Sequence, residues 1–427
     1  MRPSKFERSE IHSIRLHVLP TDRFKTYAIS AYIGTPLAEE TVTPTALTPF
    51  VLRRGTQALP ETKRFRERLD ELYGAGFGFD IYKRGDYQIV QFRMDMIEDQ
   101  YVSGTEPLLK QALKFLTEAI TRPALENDHF VSKYVESEKQ TLRKRIQSII
   151  NDKIRYAAER CLEEMCKNEP YRLHPLGQLD KLEKLDKQSL YSAYRQWLQS
   201  SPIDLYVVGN TTSEEVQSIL RELLASERSE NPAYVTKPAA CGDKRDVNTV
   251  IERLEVGQGK LNMGLRSSIT YGDERYAAAL MYNGVLGGYP HSKLFMNVRE
   301  KESLAYYASS RLDGHKGIIT IQSGIEINNY EKAVSIIREQ LDAMVRGEIS
   351  DLELSQTKAM IVNQLKEIQD SAYEMIGFDF NSVLSGKERS IPELIAAVEA
   401  VTPQQIREVA DDVCLDTIYF LRDKEGE

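Results

Sequence analysis

The chain contains six histidines: His12, His17, His129, His174, His291 and His315. No two of them stand at the i, i+4 spacing with which one face of a helix grips zinc. His12 and His17 fall in an early stretch that reads as extended, and their odd separation puts them on opposite faces of a strand. His315 lies in a turn and His174 precedes Pro175, positions that suit surface or capping roles. Neither GxSxG nor a Walker loop occurs, and the glycine-rich YGAGFGFD follows a helix, which argues against a phosphate cradle. A Ser/His/Asp set assembled only by folding stays open, with no residue pattern in its favour. Cys161, Cys166, Cys241 and Cys414 form no CxxC pair and read as reduced structural thiols of a cytoplasmic protein.

The strongest local signal is HSKLFMNVREKESLAYYASS, within which Arg299 and Tyr306 stand seven residues apart. A guanidinium and a phenol can both donate hydrogen bonds to a substrate carbonyl and to the oxyanion formed from it. The segment resembles the SRLFxxVREKxGLAYxV motif in the C-terminal domains of pitrilysin/insulinase-type peptidases, in their processing-peptidase-like branch. The match runs through Lys293, Leu294 and Phe295, then Val298-Arg299-Glu300-Lys301, then Leu304-Ala305-Tyr306. Ser303 departs from it, standing where glycine is usual. The resemblance implies that Arg299 and Tyr306 project into a peptidase chamber, with Tyr307 as the neighbouring alternative.

The likeness extends over nearly the whole chain, through LTPFVLRRGTQALP, LDELYGAGFGFDIYKRGDYQIVQFRM and HPLGQLDKLEKL. A working member of the family places His-x-x-Glu-His just before the Gly-Thr step, here Gly55-Thr56. Those positions hold Ala46, Pro49 and Phe50, and Pro49 is expected to disturb a helical turn there. The family's third ligand is a glutamate in an E-x6-E segment. Glu138 matches its first glutamate, but the ligand position falls on Arg145. The resemblance therefore identifies a non-catalytic member. It holds no metal of its own and pairs with a homologous subunit that brings the zinc. The implied substrate is a peptide or an unfolded polypeptide. The alternative is a structural or peptide-binding scaffold without hydrolysis.

The elements that position these residues read as two similar halves. TYAISAYIG near Tyr27 and GKLNMGLRS near Lys260 read as corresponding strands. Each half closes on a short helix, a capping residue (Asp186 or Thr402), a second helix and a final strand. Hairpins are expected around Arg84-Gly85-Asp86 and at Asp313-Gly314. Long continuous helices are expected from about Asp128 to Asn168 and over LELSQTKAMIVNQLKEIQDSAYEMIGFDF. The pattern suggests an internal duplication. The fold expected is α+β, with two homologous α/β sandwich domains, each a sheet covered by helices on one side. The family likeness makes this a LuxS/metallohydrolase-like pair forming one half of a clamshell. Expected boundaries are 1–224, a polar linker at 225–246, and 247–427.

A net charge of −8 argues against a general nucleic-acid surface. No stretch approaches the ~20 apolar residues that a membrane helix needs, and MRPSKFERSEIHSIRLHVLP has no signal-peptide core. A cytoplasmic protein is expected, and a homodimer of the isolated chain stays open.

Overall fold

The computed structural model describes residues 5–103, 106–224, 228, 230–239, 241 and 246–424. Two mixed sheets carry the architecture. The first has six strands, in the order Glu7–Ile11, Ile14–Pro20, Ile203–Gly209, Thr26–Pro36, Tyr87–Ile97, Gly76–Arg84. The second has five, in the order Asn248–Arg253, Cys414–Arg422, Gly259–Arg266, Ile318–Ile325, Ala305–Asp313. Apart from the additional edge strand Glu7–Ile11, the two orders correspond. In each sheet the last strand of the half runs parallel to an early strand and antiparallel to the central one. The central strands are the two expected from sequence, Thr26–Pro36 and Gly259–Arg266. Both are buried along nearly their whole length, as strands covered on both faces must be.

One face of each sheet carries its own half's helices. Phe50, Leu113, Leu190 and Trp197 pack on Ile33, Val90 and Leu205 in the first core. Met281, Ile337, Val398 and Ile406 pack on Met263, Ile321 and Phe420 in the second. The opposite faces are also covered, and by helices that come from the other half. Helix Lys153–Met165 lays Ala157 and Cys161 against Tyr419 and Leu421 of the second sheet. Helix Ala372–Ser385 lays Ile376, Phe380 and Leu384 against Ala28, Tyr32 and Tyr206 of the first sheet. Tyr32 and Phe380 stack there with centroids 3.9 Å apart. Gly264 makes the first of these approaches feasible, since a Cβ at that position would meet Met165 Sδ at 2.5 Å.

This exchange corrects the one-sided sandwich, and it depends on breaks that the periodicity hides. The helix expected from about Asp128 is instead Ser132–Ser148, a tight turn at Ile149–Asn151, and then Lys153–Met165. Asp152 caps the new start by accepting from the Arg155 N–H at 3.1 Å. The later helix divides in the same way into Asp351–Glu367 and Ala372–Ser385, with Ser371 accepting from the Glu374 N–H at 3.4 Å.

The chain ends of both halves form as expected, with capping boxes at Asp186/Ser189 and Thr402/Gln405. The first hairpin turns through Gly85-Asp86, with Gly85 at φ +52°. The second is looser, spanning residues 314–317 between paired Asp313 and Ile318. Within the expected linker, residues 225–227, 229, 240 and 242–245 lie outside the described residues. The remainder lies along both halves. Tyr234 is seated on Tyr87 and Phe380, and Ala239 donates its N–H to the Lys316 carbonyl at 2.6 Å. The reduced-thiol expectation fails for one pair. Cys241 is disulfide-bonded to Cys414, 173 positions away, which spacing alone could not reveal. Cys161 and Cys166 are free and buried, and burial pushes the Cys166 thiol up to about 12.

Candidate functional site

Ala46, Pro49 and Phe50 stand on helix Val42–Leu52, all of whose residues are buried. The helix runs through Pro49 without ending, contrary to the expected disturbance. The missing N–H and ring clash cost about 3 kcal/mol in a helix interior. Burying Leu47, Phe50, Val51 and Leu52 at about 1.5–3 kcal/mol each offsets that cost.

The neighbouring charges are arranged around Glu138, which is fully buried on helix Ser132–Ser148. Arg54 donates from Nε to Glu138 Oε1 at 2.5 Å and from Nη2 to Ser137 Oγ at 3.0 Å. Arg53 Nη2 lies 3.8 Å from Glu138 Oε2. Arg145 lies over the Phe50 ring at 4.9 Å, and Arg53 sits 5.5 Å from the rings of both Phe50 and Phe79. Burial, with repulsion from Arg145, Arg54 and Arg66, pushes the Arg53 guanidinium down against the pull of Glu138. Two guanidinium groups therefore face one carboxylate, whose Oε1 is taken by Arg54 and whose Oε2 is buried without a hydrogen bond, and a third guanidinium lies on the neighbouring Phe50 ring. Among the described residues no group of three His, Cys, Asp or Glu side chains converges on a point. The side chains present do not fit zinc: a divalent cation would meet fixed positive charge and find no second donor.

Arg299 and Tyr306 are held by two irregularities of the backbone. Phe295–Lys301 winds as a wide π-type turn, a form that recurs at functional sites. Within it Arg299 lies over the Phe295 ring at 4.5 Å and 3.7 Å from Glu300, with its side chain 42% exposed. The strand that follows carries a bulge. Ala305 pairs with Ile325 and Tyr307 with Gly324, so Tyr306 is the extra residue. A bulge re-aims the inserted side chain, and Tyr306 is 66% exposed whereas Tyr307 is half-buried against Gly324. Exposure favours Tyr306 over its neighbour as the available phenol. Between the turn and the strand, Ser303 adopts φ +50°, the left-handed conformation that glycine takes freely. This accounts for the glycine expected at that position. The Arg145–Phe50 contact joins two of the residues singled out from sequence, while Arg299 makes its contacts with Phe295 and Glu300 of its own segment.

Three histidines differ from their sequence reading. His12 is not in a strand: with Ser13 it forms a two-residue turn, φ +47° and +56°, joining Glu7–Ile11 to Ile14–Pro20. His17 is buried, stacked 4.3 Å from the Tyr206 ring. Arg8 Nη1 reaches His17 Nδ1 at 2.7 Å, and His17 Nε2 reaches Asp204 Oδ1 at 2.9 Å. Arginine has no acceptor, so Nδ1 accepts and the Nε2 proton goes to Asp204. Arg15 grips the same carboxylate at 2.7 and 2.8 Å, and Arg8 grips Asp379 of the exchanged helix at 2.9 and 3.0 Å. His315 is likewise buried, at the place where the two hairpin tips meet. Its Nε2 contacts Asn381 Oδ1 at 3.0 Å, and the adjacent Lys316 binds Asp86 at 2.8 Å. Sequence reasoning passed over Arg53 and Arg54, although two arginines directly before Gly55-Thr56 were the available signal that the pocket had turned cationic.

The family profile described as Peptidase M16 inactive domain matches residues 184–361. A Bacillus subtilis protein named probable inactive metalloprotease YmfF is 41% identical over 98% of this chain and 98% of its own length. A second Bacillus subtilis protein, the uncharacterized zinc protease YmxG, is 30% identical over 42% of this chain and 45% of its own length. The crystal structure of a conserved protein from Enterococcus faecalis V583 superposes with a TM-score of 0.93 at 32% identity, covering 99% of this chain and 100% of that one. Together with the cationic pocket at Glu138 and the exposed Arg299 and Tyr306, these likenesses lead to one conclusion: the chain belongs to the M16, or pitrilysin/insulinase-type, peptidase family.

Proposed function

We propose that this chain is the non-catalytic subunit of a two-chain zinc peptidase. In this reading its two halves derive from one duplicated unit, divided at residues 1–224 and 247–427, and together form one side of a clamshell. A homologous partner supplies the zinc and the other side. Arg299 and Tyr306 reach across the chamber and donate hydrogen bonds to the substrate carbonyl, orienting it and holding negative charge as it develops on the oxygen. An extended peptide or unfolded segment can add to an edge strand, Gly76–Arg84, whose outer side has no neighbour within its sheet. A bulge that turns Tyr306 outward, one strand end from an exposed arginine on a π-type turn, is the observation that carries the reading. The arginines beside Glu138 support the division of labour, because fixed positive charge at that carboxylate does not suit a divalent cation.

Mixing the purified chain with a zinc-bearing homologue from the same organism should generate peptidase activity that neither shows alone. Arg299→Ala and Tyr306→Phe should each lower it on the order of 10²-fold, the usual cost of removing one oxyanion donor. Full activity of the homologue alone, unaltered by adding either variant, rejects the assignment. In the same experiment the isolated chain is analysed for metal, and a stoichiometric, tightly held zinc would likewise reject it.

A further inference from the structure

The side chains of a strand alternate between the two faces of its sheet. In the edge strand Gly76–Arg84, Phe77, Phe79 and Ile81 pack against the first core and its helices, whereas Tyr82 packs on the opposite face, in the cluster of Tyr32 and Phe380. Asp80, the one acid of the strand, alternates with Phe79 and is paired with Arg93. On the helix side the rim of this edge is built of arginines. Arg53 sits 5.5 Å from the rings of both Phe79 and Phe50, which meet edge to face at 4.9 Å. Arg145 covers the same Phe50 ring at 4.9 Å. Arg66 stands on helix Thr62–Glu71 directly after Phe65, which packs on Phe77 at 5.6 Å.

Bases outnumber acids at this rim. Burial is the first cause that pushes the Arg53 guanidinium down, and the strongest fields on it come from one acid, Glu138, and three bases, Arg145, Arg54 and Arg66. The Glu138 carboxylate is engaged by Arg54. Glu67 and Glu71, on the helix that carries Arg66, accept from Arg64 and Arg68. Arg66 and Arg145 are exposed and make no ion pair among the described residues. Neighbouring strands lie about 4.8 Å apart, so a peptide added to this edge presents every second side chain to the helix face, one strand outward from Phe79 and beside Arg53. A carboxylate there meets guanidinium donors able to form charge-assisted hydrogen bonds, and an ammonium meets repulsion.

We propose that Arg53, Arg66 and Arg145 form a carboxylate-binding subsite that selects extended peptides carrying aspartate or glutamate on the helix face of the Gly76–Arg84 edge. The inference rests on the reading that a peptide adds to this edge, and it names the class of peptide. The whole chain carries a net charge of −8, so its long-range field disfavours an acidic peptide. A preference for one therefore has to come from contacts at the rim.

The test uses the full chain without a partner and measures fluorescence anisotropy of coumarin-labelled, amidated peptides of serine and threonine. One series carries glutamate at alternate positions, and the others carry glutamine or lysine there. The glutamate peptides should bind about fivefold or more tightly than the glutamine ones, with lysine weakest. The gap should narrow as salt rises from about 0.05 to about 0.5 M, because exposed charges are screened. Arg66→Gln combined with Arg145→Gln, both at exposed positions away from the Glu138 pair, should shrink the glutamate-to-glutamine ratio below about twofold. Melting temperatures and circular dichroism identify any loss that comes from misfolding, and Arg145→Gln alone serves if the double variant is unstable. Equal binding of glutamate and glutamine peptides, or a ratio that survives in the variant, overturns the subsite and leaves the edge-strand reading standing. Absence of binding by every peptide overturns both.

Discussion

Replacing Arg54 with methionine tests the ion pair that holds the buried Glu138 carboxylate. The Glu138 carboxylate is fully buried, and Arg54, at 2.5 Å, is its principal counter-ion. Removing one partner of a buried pair costs about 3–5 kcal/mol, because the other charge is left uncompensated. Two features lower that figure here. Arg53 stays 3.8 Å from the other carboxylate oxygen, and the Arg54 side chain is 28% exposed, so water can partly follow the deletion. The expected loss is then about 2–4 kcal/mol. Trp197, the single tryptophan, is buried in the first core and reports urea unfolding of that half without assuming that the whole chain melts in one step. Arg54→Met combined with Glu138→Gln should recover at least half of the loss, since the second change removes the stranded charge. Arg54→Met within about 0.5 kcal/mol of the parent, the scatter expected of an ordinary surface change, would refute the reasoning. So would a double variant no more stable than the single one.

Three shorter predictions follow from the same geometry. Ser303→Gly should stabilise the chain by about 0.5–1 kcal/mol, the penalty of a left-handed non-glycine residue less the added freedom of the unfolded chain, and a lower melting temperature would contradict it. The His315 imidazole lies below its usual value because burial dominates the hydrogen bond it donates to Asn381 Oδ1 and the field of Asp313. The unfolded chain therefore binds more protons, so this contribution is complete above the unfolded value of 6.5 and is lost as pH falls through the folded one. His315→Gln should flatten that decline in urea midpoints taken between neutral and mildly acidic pH. Burial raises the Asp204 carboxyl, but hydrogen bonds from Arg15 and His17 outweigh it and hold the group below 3.8. Its contribution is present above that value and lost as pH falls below it, and Asp204→Asn should flatten the acid limb of stability while lowering the plateau at neutral pH.

Local chemistry was legible in the sequence wherever it depended on neighbours in the chain. Asp186 and Thr402 cap the helices assigned to them, and Gly85-Asp86 turns the hairpin read around it, because a cap or a turn is settled within four residues. Ala46, Pro49, Phe50 and Arg145 are read from the sequence only as departures from a motif. The ion pair beside them was not legible, since Glu138 meets Arg54 only after two helices pack. Helix length was misread for a physical reason as well. Apolar residues continue at helical spacing across Asp152 and across Ser371, because the segments on both sides of each break are buried. They are buried, however, against different sheets, and periodicity records that a face is covered without recording by what.

That distinction bears on how the two halves act together. Had each half covered its own sheet, the joint between them would rest on the segment after residue 224 and on surface contacts. Instead, Phe380 stacks on Tyr32, Asp379 takes two hydrogen bonds from Arg8, and Ala157 and Cys161 lie on the strand that ends the second half. Separating the halves would strip a helix from the outer face of both sheets at once, exposing Tyr206 and Tyr419 to water. It would also part Lys316 from Asp86 at the hairpin tips, leaving charges that are paired in the folded chain without partners. The sheet edge at Gly76–Arg84 and the strand bearing Tyr306 are therefore tied through the interiors of both halves, which is the stiffness a surface must have if it is to orient a substrate for chemistry performed by another chain.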